Sequence, residues 1–134
     1  MDGFGAKVFG AKELRKVWGT RAVALQPIVN KNVVHWAQIL ETRIKASASG
    51  RPGPNAPTGD YRRSWNTRLT MKGDAVQADV GTNKPQGRRL EFGFVGTDSL
   101  GRFYNQPPFP HVELNIMAVT DGLHRSIEAE VAKL

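Results

Sequence analysis

The chain of 134 residues, with 40% apolar side chains and no cysteine, holds enough for a single modest core. It has nothing from which to build a disulfide framework, a thiolate metal site or a cysteine nucleophile. Its 19 basic against 12 acidic side chains, a net charge of +7, point to a polyanionic neighbour or to acidic surfaces on other protein copies.

Residues 1–10 place Gly3, Gly5 and Gly10 among Phe4, Val8 and Phe9, which fits a short edge strand or an extended arm. This start has neither the charged nor the apolar region of a secretion signal, so use without Sec export is expected. No apolar run approaches the ~18 residues that cross a membrane. Ala11 to Trp18 reads as a two-turn helix, with Leu14 and Trp18 on one face and Gly19 as its stop. A longer helix follows, because Val29, Val33, Trp36, Leu40 and Ile44 recur at helical spacing. Pro27 is expected in its first turn. Lys31, Gln38, Glu41, Arg43 and Lys45 fill the outer face, and His35 lies off the apolar stripe with no ligand partner four residues on.

Arg51 to Trp65, RPGPNAPTGDYRRSW, ends that helix. Pro52, Pro54 and Pro57 remove backbone donors, and Gly50, Gly53 and Gly59 permit sharp reversals, so a stiff extended elbow is expected. After Asp60, the residues Tyr61, Arg62, Arg63, Ser64 and Trp65 read as the start of a strand. Trp65, Thr67, Leu69 and Met71 then form its buried face, with Ser64, Asn66, Arg68 and Thr70 in water. Lys72-Gly73-Asp74 is a tight turn, and Val76, Ala78 and Val80 return as the second arm of a β-hairpin. Arg88 to Val95 fits a third strand or a short helix. Residues 97–108 are rich in glycine, proline and polar side chains and read as a long loop carrying Leu100, Phe103 and Tyr104, aromatic and apolar groups suited to burial against something else. Val112, Ile116, Val119, Leu123 and Ile127 mark a last helix.

The expected fold is therefore α+β: one domain spanning 1–134, a small antiparallel β-sheet packed against two long amphipathic helices, with extended Pro/Gly-rich loops at 49–60 and 96–108. Charge is unevenly spread. Seven basic residues (Arg43, Lys45, Arg51, Arg62, Arg63, Arg68, Lys72) face one acid, Asp60, between 43 and 72, whereas the last stretch holds Glu113, Asp121, Glu128 and Glu130. No catalytic constellation is legible. His35, His111 and His124 have no nucleophile motif near them, and the dispersed carboxylates have no metal spacing, so neither enzyme activity nor a metal or cofactor is expected.

Three segments carry a family resemblance. Ala56-Pro57-Thr58-Gly59-Asp60-Tyr61-Arg62-Arg63-Ser64-Trp65 resembles an "APxxTGxLRxSI" signature, with Tyr61 in place of leucine and the spacer after Pro57 missing. Arg89-Leu90-Glu91-Phe92-Gly93 is similar to "xxEFGT", although Phe94 stands where threonine is usual. Pro107-Pro108-Phe109-Pro110 is similar to "RPFPFLRPAL", with His111 replacing the next phenylalanine. The family is that of tailed-bacteriophage neck and minor-tail proteins, which act in head–tail joining and tail completion.

The resemblance implies a structural virion protein of the siphovirus neck, made in the host cytoplasm. It implies a homo-oligomeric ring, six-fold or twelve-fold, between the portal and adaptor of the head and the tail tube. Connector and tail-terminator proteins would be its neighbours, and DNA would pass through the lumen without sequence-specific contact. It also marks Pro57, Thr58, Gly59, Arg62, Ser64, Trp65, Glu91, Phe92, Gly93, Pro108, Phe109 and Pro110 as motif residues. Candidates for subunit contacts or for the DNA channel are Arg51, Arg62, Arg63, Arg68, Arg88, Arg89, Leu100, Arg102, Phe103 and Tyr104. Within the second motif, Glu91 is expected to form an ion pair with Arg62 or Arg63. The alternative from charge and aromatics is a sequence-independent nucleic-acid-binding module that stacks bases on Trp65, Phe103 and Tyr104.

Overall fold

A computed structural model describes residues 4–8, 22–55 and 57–134. The helix expected over Ala11–Trp18 lies outside them. Strand β1 (Phe4–Val8) is followed by helix α1 (Ala22–Ser47), the short helix α2 (Asp60–Ser64), strands β2 (Asn66–Lys72) and β3 (Ala75–Thr82), and helix α3 (Gly87–Phe92). Strands β4 (Phe94–Thr97) and β5 (Phe103–Gln106) and helix α4 (Glu113–Val131) complete an α+β chain. The main sheet has the order β1-β3-β2, all antiparallel, and β4 and β5 form a separate antiparallel pair.

Helix α1 buries Leu25, Val29, Val33, Ala37, Leu40, Ile44 and, just past its end, Ala48, one stripe at intervals of three and four residues. It starts earlier than expected, so Pro27 falls inside the helix rather than in its first turn. The stripe lies over β3, whose Val76, Ala78 and Val80 face it. Asn30 pins the β2–β3 turn to the helix: its Oδ1 accepts from Val76 N (3.1 Å) and its Nδ2 donates to the Asp74 carbonyl (2.9 Å). Helix α4 packs beside α1 through Val119 and Leu123. Trp36 lies across this seam and donates Nε1–H to Ser126 Oγ at 3.0 Å. A Cβ on Gly122 would come within 2.4 Å of the Trp36 ring, which explains a glycine in mid-helix despite its cost of about 1 kcal/mol relative to alanine. At the far end, Glu130 accepts from Lys31 Nζ and Asn32 Nδ2, both at 2.5 Å.

Three expectations are corrected. Tyr61 to Ser64 form a helical turn, not the start of a strand. An alternating strand would have turned Arg63 inward with Tyr61 and Trp65, whereas helical spacing buries the two rings and leaves Arg63 exposed. Ser64 Oγ secures the turn by donating to the Tyr61 carbonyl (2.5 Å) and meets Thr82 Oγ1 on β3 (2.6 Å).

Next, Leu69 and Met71 are not buried but 47% and 59% exposed. They share the helix-facing side with Ala78 and Val76 by register, but β2 is the sheet edge and α1 reaches mainly over β3. Finally, the stretch expected as a loop at 96–108 is largely the β4–β5 hairpin. Its tip is organised by Asp98, whose Oδ1 accepts from Leu100 N and Arg102 N (2.9 Å each) and whose Oδ2 accepts from Arg102 Nε (2.6 Å) and Tyr104 Oη (3.1 Å). Gly101, at φ 78°, closes the turn.

Of the two readings of Arg88–Val95, the helix is realised, ending at Gly93 with φ 82°. A side chain there would meet the Gln106 carbonyl at 2.8 Å and Pro108 N at 3.1 Å. Gly93 therefore lets the hairpin base pass close to α3.

Candidate functional site

The three motif segments, far apart in sequence, converge on one point. From the first come Tyr61 and Trp65, from the second Glu91, and from the third Phe109 with its neighbour His111. His111 is 0% exposed and Trp65 1%, with Glu91 at 4% and Tyr61 at 7%.

Glu91 is where the expected partner proves wrong. Neither Arg62 nor Arg63 reaches it: Arg62 Nη1 donates to Ser49 Oγ (3.1 Å), and Arg63 Nη2 bonds Asp60 Oδ1 (2.7 Å) and the Thr58 carbonyl (3.2 Å). The Glu91 carboxylate instead caps the last helix from another element. Oε2 accepts from the backbone N–H of His111 (2.8 Å) and Val112 (3.0 Å), and Oε1 from that of Glu113 (3.1 Å). The first turn of a helix has free donors and a partial positive charge, and α4 has no capping side chain of its own at Val112. A buried carboxylate satisfies both needs.

His111 ties the remaining pieces. Its Nδ1 faces two acceptors, the Phe109 carbonyl (2.9 Å) and Glu91 Oε2 (3.1 Å), so that nitrogen carries the proton. Nε2 then accepts from the Tyr61 hydroxyl at 2.6 Å. Burial lowers the His111 pKa from its ordinary value and outweighs the opposing pull of the Phe109 carbonyl and Glu91. Burial likewise pushes the Tyr61 phenol up to about 12, against a hydrogen bond from Trp65. The rings of Tyr61, Trp65 and His111 meet edge to face, with centroids 5.5 to 6.3 Å apart.

Around this centre the other motif residues have supporting roles. Gly59 takes φ 78° to launch α2, and Thr58 Oγ1 accepts from Asp60 N (3.3 Å). Phe109 N donates to the Leu90 carbonyl at 2.6 Å, joining the third motif to the second. The Arg51 guanidinium sits 3.8 Å over the Phe109 ring and donates to the Gly53 carbonyl (3.0 Å), joining the elbow to the third. Pro57, Phe92 and Pro108 are exposed, and Pro110 is half-buried. Asn115, one helical turn after His111, is a buried polar residue that the apolar pattern hid. Its Nδ2 donates to the His111 carbonyl (2.8 Å) and Ser47 Oγ (3.0 Å), and its Oδ1 accepts from Arg43 Nε (3.2 Å). The only sequence signal for it is an asparagine on the inward side of an apolar stripe.

A tyrosine, a histidine and a carboxylate in line could pass a proton where solvent or substrate reaches them. Here the side chains of His111 and Glu91 are 0% and 2% exposed, so the arrangement holds chain segments together. Among the described residues there is no cluster of three or more His, Asp or Glu side chains fit for a metal ion, and no helix long and apolar enough to cross a membrane.

Of the candidate contact residues, Arg51, Arg62 and Arg63 flank this centre, Arg68 stands apart, and the others gather on α3 and the β4–β5 hairpin. Arg68 is exposed on the edge strand β2, opposite Asp79. Arg88 and Arg89 are on α3, with Arg89 placed 3.8 Å over the Phe94 ring. Leu100, Arg102, Phe103 and Tyr104 are on the hairpin, where Tyr104, 38% exposed, lies against the Phe94 ring and donates its hydroxyl to Asp98.

The three motif segments are thus spent on a buried brace, and the surface of this small α+β chain carries the charge and the spare apolar groups. The chain belongs to the family described as "Bacteriophage HK97-gp10, putative tail-component", whose model matches residues 12–93. That span contains the first two motif segments and stops before the third. No curated protein and no solved structure matches the chain.

Proposed function

We propose that the chain is a structural subunit of the phage neck, forming a homo-oligomeric ring that joins the portal and adaptor of the head to the tail tube and leaves a passage for DNA. Membership in a tail-component family carries this reading. The use of the motif segments supports it: Trp65 and Glu91, with Tyr61 and His111 where the chain departs from the pattern, are buried together and stiffen the junction between the elbow, α3 and α4. A rigid subunit loses less entropy on joining a ring. Arg68 and Lys72 on the exposed edge strand supply loose attraction to phosphate, which suits a duplex that must slide past without being gripped.

Purified virions should contain the chain, and an antibody or gold label against it should mark the head–tail junction. A phage lacking its gene should accumulate filled heads and separate tails. A label spread along the tail tube, or its absence from purified particles, would overturn the neck assignment.

A further inference from the structure

Among the described residues, apolar side chains stay in water on β2, at Leu69 and Met71, and on two further surfaces. One is a face of the β4–β5 hairpin. By register, Phe94, Gly96, Tyr104 and Gln106 share one side, and Val95, Thr97, Phe103 and Asn105 share the other. The first side is occupied: Arg89 stacks on Phe94, and Gln106 Nε2 donates to the Arg89 carbonyl (3.2 Å). On the second side Val95 and Phe103 are 69% and 68% exposed, and Leu100 at the tip is 75% exposed. An isolated two-stranded hairpin is only marginally stable in water. Even so, Asp98 locks this tip with Leu100 held outward, which orders the arm before anything binds it.

The other surface is the outward side of α4. At 100° per residue, Leu114, Met117, Asp121 and Glu128 lie opposite the buried Val119 and Leu123. Leu114 is 63% and Met117 70% exposed, so this stripe is apolar in its first half; beyond it Asp121 is paired with Arg125 (3.0 Å), and Glu128 is exposed. Arg88 is exposed on α3 just ahead of the hairpin, whereas Arg102 at the tip is already held by Asp98 (2.6 Å). Among the described residues, Arg88, Glu113 and Glu128 have no ion-pair partner within the chain.

We infer that the hairpin arm of one copy docks on the outward stripe of α4 of the next copy, an inference that rests on the ring reading above. Val95, Leu100 and Phe103 cover Leu114 and Met117, while the unpaired Arg88 faces the unpaired Glu113 and Glu128. The occupant is a second copy because one chain carries both halves of a match in apolar character and opposite in charge, and leaves both uncovered. Two different patches in contact make a heterologous interface, which repeats from copy to copy and gives a ring when the rotation between copies closes.

The absence of native cysteine makes the contact directly testable. Full-length Leu100→Cys and Met117→Cys proteins are oxidised separately and as a mixture, with Gln38→Cys on the exposed side of α1 as the collision control. Light scattering on the same samples reads assembly. Disulfide-linked dimers should form in the mixture several-fold above either variant alone or the control, and adding Phe103→Ser to the Leu100→Cys copy should remove the excess. Assembly without that excess would overturn this interface and leave the ring standing. Leu100→Cys copies linking chiefly to each other would replace it with a symmetric contact. Protein that stays monomeric and uncrosslinked at every concentration would overturn both the interface and unaided ring formation.

Discussion

Replacing Glu91 probes the brace most directly. Glu91→Gln keeps the shape but offers one carbonyl oxygen where the carboxylate offered two. That oxygen can still take the His111 and Val112 donors, which now share Oε2, and the new amide group is then turned toward the Glu113 N–H. One charge-assisted bond is lost, worth about 1.5–3 kcal/mol, and the remaining two weaken as the acceptor loses its charge. The expected loss is about 2–3 kcal/mol. Glu91→Ala strands all three donors and should cost roughly 3–5 kcal/mol, the upper range for single substitutions. For a chain of this size 1 kcal/mol moves Tm by roughly 3–5 °C, so Glu91→Gln should melt about 10 °C lower. The measurements are thermal and urea unfolding followed by circular dichroism, with Arg62→Ala and Arg63→Ala alongside. The arginine variants should stay within ~0.5 kcal/mol of the parent, as surface substitutions do. If Glu91→Gln melts with the parent, or if Arg62→Ala reproduces its loss, the helix-capping role is wrong.

Three further expectations follow from the same geometry. Because burial lowers the His111 pKa, the unfolded chain takes up a proton near pH 6.5 that the folded chain refuses; this contribution to stability is present above that pH and drains away as pH falls toward the folded pKa. Urea midpoints between pH 7.5 and 5 should drop for the parent, and the slope should be shallower in His111→Gln. Gly122→Ala should destabilise by about 1–2 kcal/mol, because overpacking against Trp36 outweighs the helix-propensity gain; in a Trp36→Leu background the same change should turn neutral or stabilising. Arg68→Ala and Lys72→Ala should weaken binding to unrelated DNA duplexes equally. Each should flatten the logarithmic salt dependence by about one unit, since one phosphate fewer is neutralised, and move the melting curve by no more than ~0.5 kcal/mol. An effect confined to one DNA sequence would contradict the reading of these residues as loose phosphate contacts.

Local rules made much of the chain legible before any coordinates. The spacing of Val29, Val33, Leu40 and Ile44 has one helical solution, and Val76, Ala78 and Val80 alternate as only a half-buried strand does. The family resemblance, too, rests on short segments whose wording is visible in the chain. What periodicity could not supply was the identity of partners. Glu91 sits close in sequence to arginines, yet its donors are backbone groups 20 to 22 residues away, fixed by where α4 begins.

The tyrosine and histidine that depart from the family pattern, Tyr61 and His111, read as mismatches in sequence and prove to be bonded to each other across 50 residues. Leu69 and Met71 obey the strand period but remain in water, since burial depends on which strand a helix covers. The hairpin at 94–106 was hidden because Asp98, through backbone and side-chain bonds at its tip, sets a register that glycine-rich composition obscures. Periods of 2 and 3.6 residues are written along the chain. The packing of one element on another depends on distances that only the folded chain defines.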